Sequence, residues 1–216
     1  MTVTSLPQPT PEEHAAHHRS AAELDAALAG VRAAPRDTGT IALLVRRPEV
    51  DQREVLDAVP LTTAEGMAGD SWSERSSSRT GDGSAHPDMQ LNVMSLAAAR
   101  AVAGDDPHRW AWAGDEIIVD LDLSFENLPA GTLLDIGGEA DRPAAVIEVT
   151  DQPHRGCLKF KERFGKAALF WVNSEQGVPL RLRGLNARVV VEGEVRTGDE
   201  VRVRRSAGAF EPAPGA

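Results

Sequence analysis

The sequence predicts a mainly β protein: a compact, antiparallel barrel-like domain with a few short helices and an N-terminal helical arm. From Thr40 onward the chain consists of short β-rich runs separated by turn residues. In the run 200–204, Val201 and Val203 alternate with arginines, as in a strand that is buried on one face. Many short strands with few helices between them indicate an all-β barrel with small helical insertions.

The individual elements follow from local signals. The predicted strands are 41–45, 146–149, 187–193 and 200–204, the last two flanking a turn at 197–199. The predicted helices are 96–103, capped by Ser95 and closed by Gly104, and 157–164, closed by Gly165. The polar, breaker-rich stretch 73–88 is expected to form a long surface loop.

The N-terminal residues differ from the rest of the chain. Thr10, with proline next and Glu13 three positions on, predicts a capping box at a helix start. Apolar residues then recur at helical spacing from Ala21 to Val31, before Pro35 stops the run. We therefore expect one weakly amphipathic helix on a polar arm at 1–39, a barrel domain at 40–205 and a flexible tail at 206–216.

Composition restricts the class of protein. With 216 residues and 23.1 kDa, the chain forms one domain, or one domain plus an arm. The net charge of −10 disfavours nucleic acid as a partner. No apolar run approaches the ~20 residues that cross a bilayer, so no membrane partner is expected. The N-terminal residues do not resemble a signal peptide, and cytoplasmic localisation is the default expectation.

Two patterns point weakly to metal ions. His14 and His18 lie four residues apart and can share one helix face. Asp120 and Asp122 alternate with leucines on a predicted strand and resemble part of a divalent-cation site. Neither pattern brings a full set of ligands, and solvated polar surfaces are the favoured interpretation of both.

The informative stretch is 151–165, which carries the chain's single cysteine, Cys157. A lone cysteine excludes an internal disulfide and a multi-cysteine zinc site. Its position at a predicted helix start favours the thiolate, as do the basic residues around it. These are His154, Arg155, Lys159, Lys161 and Arg163. We therefore expect Cys157 to be ionised near neutral pH and to face a pocket. The alternative is a small buried hydrophobic residue.

The segment 142–188 is basic within an acidic chain. It holds nine Lys and Arg against four Asp and Glu, a local charge of +5 where the whole chain carries −10. Such asymmetry favours a basic patch beside the cysteine that holds a phosphate or a sulfur oxyanion. The alternative, that these side chains pair with the acidic remainder of the protein, is equally open.

Taken together, five strings in order resemble the MOSC domain, named for the C-terminal domain of molybdenum-cofactor sulfurases. The resemblance extends from about Leu43 to Arg204. The strings are GMAGDSW, DMQLNVMSL, AGDEIIVDLDLSFENLPAGTLLDIGG, VIEVTDQPHRGCLKFKERFG and GLNARVVVEGEVRTGDEVRV. One departure is visible: relatives often carry a histidine shortly after the Gly-Asp pair, where this chain has Ser71 and Trp72.

The resemblance implies a MOSC-type barrel with Cys157 in a cleft at one end. It also implies that two loop pairs line that cleft, namely Gly69 with Asp70 and Glu126 with Asn127. Family members are associated with molybdenum cofactor and sulfur transfer. A single protein thiolate is a sufficient ligand for a metal whose other sulfurs arrive on an organic cofactor. His154, Arg155, Lys159 and Arg163 are then candidates to bind the cofactor, with a cation on its phosphate.

Three functions remain open at this point. The first is a molybdenum-cofactor enzyme that reduces N-hydroxylated compounds, with Cys157 as the metal ligand and a redox partner protein. The second is a sulfur carrier that holds a persulfide on Cys157, supplied by a cysteine desulfurase. The third is a non-catalytic anion-binding module with Cys157 buried. The basic residues around Cys157 favour the first two.

Overall fold

The computed structural model describes residues 2–139 and 141–205. The predicted tail, 206–216, lies outside the described residues. The helices are α1 (Pro11–Ala15), α2 (Ala21–Arg32), α3 (Leu96–Ala103), α4 (Pro107–Trp110) and α5 (Leu158–Val172). The strands are β1 (Val3–Ser5), β2 (Thr38–Arg46), β3 (Glu54–Leu56), β4 (Ala58–Thr62), β5 (Gly66–Met67), β6 (Leu91–Ser95), β7 (Ile117–Asp120), β8 (Leu133–Ile136), β9 (Ala145–Val149), β10 (Leu185–Val191), β11 (Gly193–Arg196) and β12 (Glu200–Arg204).

Within the described ranges, seven strands close into a barrel, in the order β2, β12, β8, β9, β10, β6, β7 and back to β2. Neighbouring strands of the barrel are antiparallel except β6 and β7, which are parallel. The barrel closes because β2 is long: its first half pairs with β12, its second half with β3, and its other edge with β7. β4, β5 and β11 form a smaller separate sheet. The predicted mainly β barrel is confirmed.

β2 is buried on both faces. Ile41 and Leu44 point into the barrel core, whereas Leu43 and Val45 pack against the helices outside it. A register shift between Ile41 and Leu43 in the pairing with β7 changes which side chains point inward. This explains why the sequence shows a continuous apolar run here and not a strict alternation.

The N-terminal residues pack onto the barrel side. The Thr10–Glu13 capping box is present at the start of α1. Two helices occur where one was expected, because Ser20 and Glu23 form a second capping box that starts α2. α2 packs on α3 and α5 and buries Leu24, and β1 pairs with β3.

Most of the remaining predicted elements are found close to their expected bounds. The predicted strand 187–193 is wrong in its bounds, because β10 ends at Val191 and β11, in the smaller sheet, begins at Gly193. α3 begins after Ser95 and ends at Gly104, as expected. α5 begins at Leu158, one residue after the predicted start of the 157–164 helix. It continues to Val172 across a non-helical residue, Gly165 (φ 88°), against which the His18 ring packs. The strand expected to carry Asp120 and Asp122 ends at Asp120. None of the described helices has the length and apolar character to span a bilayer.

Candidate functional site

Cys157 is the N-cap of α5 and is exposed. Its carbonyl accepts the Lys161 N–H at 3.0 Å, and its thiol makes no capping hydrogen bond to the described backbone. The expected position at a helix start is therefore confirmed, and the alternative of a buried hydrophobic cysteine is wrong. A thiol at this end of a helix lies next to backbone N–H groups that favour negative charge.

The turn before Cys157 is held in place by the far end of α5. Asn173 accepts the Gly156 N–H at 3.0 Å and donates to the Gly156 carbonyl at 3.1 Å. A Cβ on Gly156 would lie 2.8 Å from Val172, so only glycine fits this approach. Asn173 was not among the predicted site residues, since sixteen positions separate it from Cys157 in the sequence.

Cys157 lines a cleft of about 330 Å³, within the size range of sites that bind small molecules. Two acidic side chains, Glu49 and Asp51, line the cleft as well, and basic side chains outnumber them threefold. The basic residues are Arg47, Arg53, Arg75, Lys159, Arg163 and Arg183. The cleft next to the thiol is therefore strongly cationic.

The cations come from two distant parts of the chain. Lys159, Arg163 and Arg183 belong to the basic segment 142–188 that the sequence pointed to. Arg47 and Arg53, which flank the loop after β2, were missed, as was Arg75. The only sequence signal for Arg47 and Arg53 is the string RRPEVDQR, which on its own is typical of any polar loop after a strand.

Arg47 is a buried member of the cationic wall, by which we mean the six basic residues that line the cleft. Its guanidinium binds both carboxylate oxygens of Asp70, at 3.0 and 3.1 Å, and forms an ion pair with Glu116. It also donates to the Gly114 carbonyl at 2.7 Å. Asp70, predicted to line the cleft, is thus buried behind it and orients Arg47. Gly69 packs against the Arg46 side chain instead. A Cβ added to Gly69 would lie 2.9 Å from Arg46 Nη1.

Arg53 is a buried cation that makes no close ion pair among the described residues. It is 5% exposed, and its guanidinium donates to the carbonyls of Ala111 and Gln52. Among the described residues it forms no ion pair with a carboxylate. Burial, together with the charges of Arg163 and Arg47, lowers the pKa of Arg53 to about 9. An anionic ligand in the cleft would stabilise such a buried cation, because it would supply the ion-pair partner that the protein does not.

Arg163 lies beside Arg53. A Cβ placed on Gly114 would lie 3.5 Å from Arg53 Nη2 and 3.8 Å from Arg163 Nη1. The two guanidinium groups also share the Trp112 ring, at 5.3 and 5.6 Å from its centroid. Burial lowers the pKa of Arg163, while the nearby Asp51 acts in the opposite direction. Two cations therefore converge on one wall of the cleft.

Two predicted residues lie on the other side of the turn that precedes Cys157. His154 and Arg155 line a small cavity of about 30 Å³ rather than the Cys157 cleft. His154 Nδ1 is 3.6 Å from Asp115, whose carboxylate binds Arg183 at 2.6 and 2.8 Å. Asp115 therefore holds Arg183, which does line the cleft, from behind.

The other predicted pair lies elsewhere. Glu126 forms an exposed ion pair with Arg36 at 3.0 Å. Asn127 is buried, and its side-chain amide donates to the carbonyls of Arg36 and Asp122 at 2.9 and 2.8 Å. Asn127 thus ties the start of β2 to the loop after β7. Neither residue lines the Cys157 cleft, because their hydrogen bonds are used to join these two segments.

The histidine pair and the aspartate pair gain no further ligands. No group of three or more His, Cys, Asp or Glu suited to a metal ion occurs in the part of the chain that the structure describes. His14 is buried edge-on against Trp112 at 6.0 Å, so the expected solvated face is wrong for it. Asp122 lies beyond the strand, where its carboxylate accepts the Ser124 N–H at 2.9 Å.

His154, whose side chain is only 12% exposed, predicts a pH dependence of stability. Burial and the charges of Arg183 and Arg47 hold the pKa of His154 well below its usual value, so the folded protein keeps this imidazole neutral. In the unfolded chain it takes up a proton below about pH 6.5. The stability it contributes is therefore present above that pH and is lost as the pH falls, with a slope of up to about 1.4 kcal/mol per pH unit.

Urea unfolding between pH 7.5 and 5 measures this slope. His154→Gln should flatten it, whereas His108→Gln, at an exposed position, should leave it unchanged. His14 contributes in the same direction, because burial and neighbouring cations also lower its pKa, so a residual slope is expected. Equal slopes in wild type and His154→Gln would contradict the prediction.

Comparisons with known proteins agree with this architecture. The structure is similar to that of YuaD from Bacillus subtilis, with a TM-score of 0.53 and 17% identity over 77% of this chain and 95% of that one. It is also similar to YiiM from Geobacillus stearothermophilus, with a TM-score of 0.50 and 15% identity over 80% of this chain and 78% of that one. At such identities the likeness concerns the fold alone. No curated protein matches the chain.

The sequence also matches the model of a protein family. The MOSC domain model matches residues 79–202, which is more than half of the chain and includes Cys157, Lys159, Arg163 and Arg183. The matched region begins after Arg47, Arg53 and Arg75, so those three cations of the cleft lie outside it. With more than half of its length matched and a closed barrel of the expected type, the chain belongs to the MOSC domain family.

Proposed function

We propose that this protein binds molybdenum cofactor through Cys157 and reduces N-hydroxylated compounds. MOSC domains are associated with molybdenum-cofactor biology. The single observation that carries the proposal is the pairing of an exposed thiol with an unpaired, buried cation, Arg53, in one cleft. A ligand that combines a soft metal with a phosphate satisfies both groups at once.

The thiol fits the metal end of such a ligand. Thiolates are soft donors, and the cofactor's own dithiolene supplies the further sulfur ligands that this chain lacks. The absence of a protein cluster of three or more acidic, His or Cys ligands in the described residues agrees with a metal that arrives already coordinated. When bound, the cofactor supplies a redox-active centre beside Cys157.

The cationic wall fits the phosphate end. Arg47 and Arg183 are already paired with buried carboxylates, so their charges are largely balanced within the protein. Arg53 has no such partner, and Lys159 and Arg163 share the single carboxylate of Asp51. We propose that these three residues hold the phosphate by charge-assisted hydrogen bonds.

The remaining residues position these groups. Asn173 holds the turn that presents Cys157, and Asp70 and Asp115 orient Arg47 and Arg183. Reduction of an N-hydroxylated substrate breaks the N–O bond with two electrons and two protons and yields the amine and water. We propose that a redox partner protein supplies the electrons, while the substrate is a small molecule that enters the same cleft.

A sulfur carrier is the second candidate, and the exposure of the thiol favours it. Leu158, next to Cys157, is 72% exposed, and Val50 at the cleft is 77% exposed. These apolar side chains offer contact to a partner protein such as a cysteine desulfurase. The Cys157 thiolate would attack the outer sulfur of the desulfurase persulfide, and the desulfurase cysteine would leave as a thiolate.

Elemental analysis of freshly purified protein tests the proposal. Protein from a host that makes molybdenum cofactor is expected to hold about one molybdenum per chain, since a single thiolate ligand is present. Sulfane sulfur on Cys157 after incubation with a desulfurase and cysteine, without molybdenum, would favour the carrier instead. Protein that acquires neither would leave an anion-binding module as the remaining function, although with an exposed cysteine and not the buried one expected from the sequence.

A further inference from the structure

The loop between β2 and β3 carries a carboxylate into the Cys157 cleft. Asp51 lies at the tip of this loop in the left-handed region (φ 60°), one of two non-glycine residues there in the described chain. Aspartate tolerates this conformation better than most side chains, yet it is uncommon. The neighbouring Val50 is 77% exposed, so little apolar packing holds the tip in place.

Asp51 binds two of the three cations that the proposed function assigns to an anion. Its Oδ1 lies 2.7 Å from Arg163 Nη2 and 3.3 Å from Lys159 Nζ. The Asp51 side chain remains 31% exposed, so it is accessible from the cleft. Glu49 on the same loop differs, since its carboxylate accepts a hydrogen bond from Gln52 at 2.8 Å and binds no residue of α5 among those described.

We infer that Asp51 is a displaceable internal counter-anion, which a ligand's phosphate must replace on Lys159 and Arg163. The inference rests on the proposed anion site and adds a selectivity device to it. A tethered carboxylate has a high effective concentration, so a free carboxylate competes with it poorly. A phosphate carries more charge and three acceptor oxygens, and it gains Arg53 in addition. Asp51 thus excludes weak anions from the cleft and admits phosphate esters.

Protection of Cys157 from iodoacetamide by inorganic pyrophosphate tests this inference. The alkylation rate is measured against pyrophosphate concentration in wild type and in Asp51→Asn, which preserves the tolerance for the left-handed backbone. We expect Asp51→Asn to bind pyrophosphate roughly fivefold more tightly, the size expected for one partly exposed ion pair. Glu49→Gln removes the same charge from the same loop. The pyrophosphate affinity of this variant should change less than about twofold, because the Glu49 carboxylate is exposed and binds none of the cations on α5 among the described residues.

A double-mutant cycle separates displacement from long-range repulsion. If Asp51 must leave Lys159 for the ligand to bind, the gain from Asp51→Asn shrinks in a Lys159→Met background. A gain of equal size in both backgrounds would overturn the displacement mechanism, as would an equal gain in Glu49→Gln. Thermal unfolding confirms that each variant is folded.

The outcomes for the two proposals are distinct. Unchanged pyrophosphate affinity in Asp51→Asn, with clear protection in wild type, overturns the role of Asp51 and leaves the anion site standing. Alkylation that pyrophosphate does not slow in any variant overturns the anion site itself.

Discussion

Cys157→Ser is expected to reduce bound molybdenum to background and to lower N-hydroxyl reductase activity by more than about 100-fold, since loss of even an outer partner of a metal ligand costs 10–100-fold. Serine preserves the size of the side chain but replaces a soft thiolate by a neutral hydroxyl. Because Cys157 is exposed and its thiol makes no capping hydrogen bond to the described backbone, the substitution removes no contact that holds the fold. Metal content is measured by elemental analysis, and activity by the rate of amine formation.

The cationic wall provides the control for this experiment. Cys157→Ser should still bind inorganic pyrophosphate at least as tightly as wild type, because Arg53, Lys159 and Arg163 are unchanged. Isothermal titration calorimetry measures this binding, since the variant has no cysteine to alkylate. Protein that loses molybdenum and keeps pyrophosphate binding separates the metal ligand from the phosphate site. A serine variant that retains metal and activity would contradict the assignment of Cys157 as the ligand.

Arg47→Ala should destabilise the fold by about 3–5 kcal/mol, because it leaves the buried carboxylate of Glu116 without its ion-pair partner and that of Asp70 with only Arg75, 3.9 Å away. Asp70 and Glu116 are 6% and 0% exposed, and both bind this guanidinium. A loss of that size corresponds to a decrease in Tm of roughly 10 °C for a chain of this length. Urea and thermal unfolding measure both quantities.

Arg19→Ala is the matched control for Arg47→Ala. Arg19 binds Glu23 at 3.0 Å, but both side chains are at least 40% exposed. An exposed pair contributes about 0–1 kcal/mol, so this variant should unfold close to wild type. Similar unfolding of the two alanine variants would show that the Arg47 network does not stabilise the fold as its burial indicates.

Local sequence signals predicted much of the fold. The Thr10–Glu13 capping box, the helix between Ser95 and Gly104, and the alternation of Val201 and Val203 all depend on neighbours within a few positions. Hydrogen bonds of caps and the period of a strand are set by adjacent residues, so they can be found without knowing the tertiary contacts. The position of Cys157 at a helix start was predicted for the same reason.

Which residues line the cleft depends on contacts between segments that are distant in the sequence. Arg53 and Asp51 come from a loop that precedes Cys157 by about a hundred residues, and barrel closure through β2 brings them to α5. The same closure places Asn127 against Arg36 and away from the cleft. Residue type alone cannot distinguish these outcomes, because an arginine or asparagine in a loop takes whichever partner the fold supplies.

The sequence by itself determined the barrel class, the starts of α1 and α3 and the thiol at the beginning of α5, since these arise from periodicity and capping over short distances. Only the tertiary structure decided which cations surround that thiol, that Arg53 is buried without a carboxylate, and that Asp51 binds Lys159 and Arg163. Charge in a cleft depends on burial and on pairing across the fold, and both are set by long-range packing.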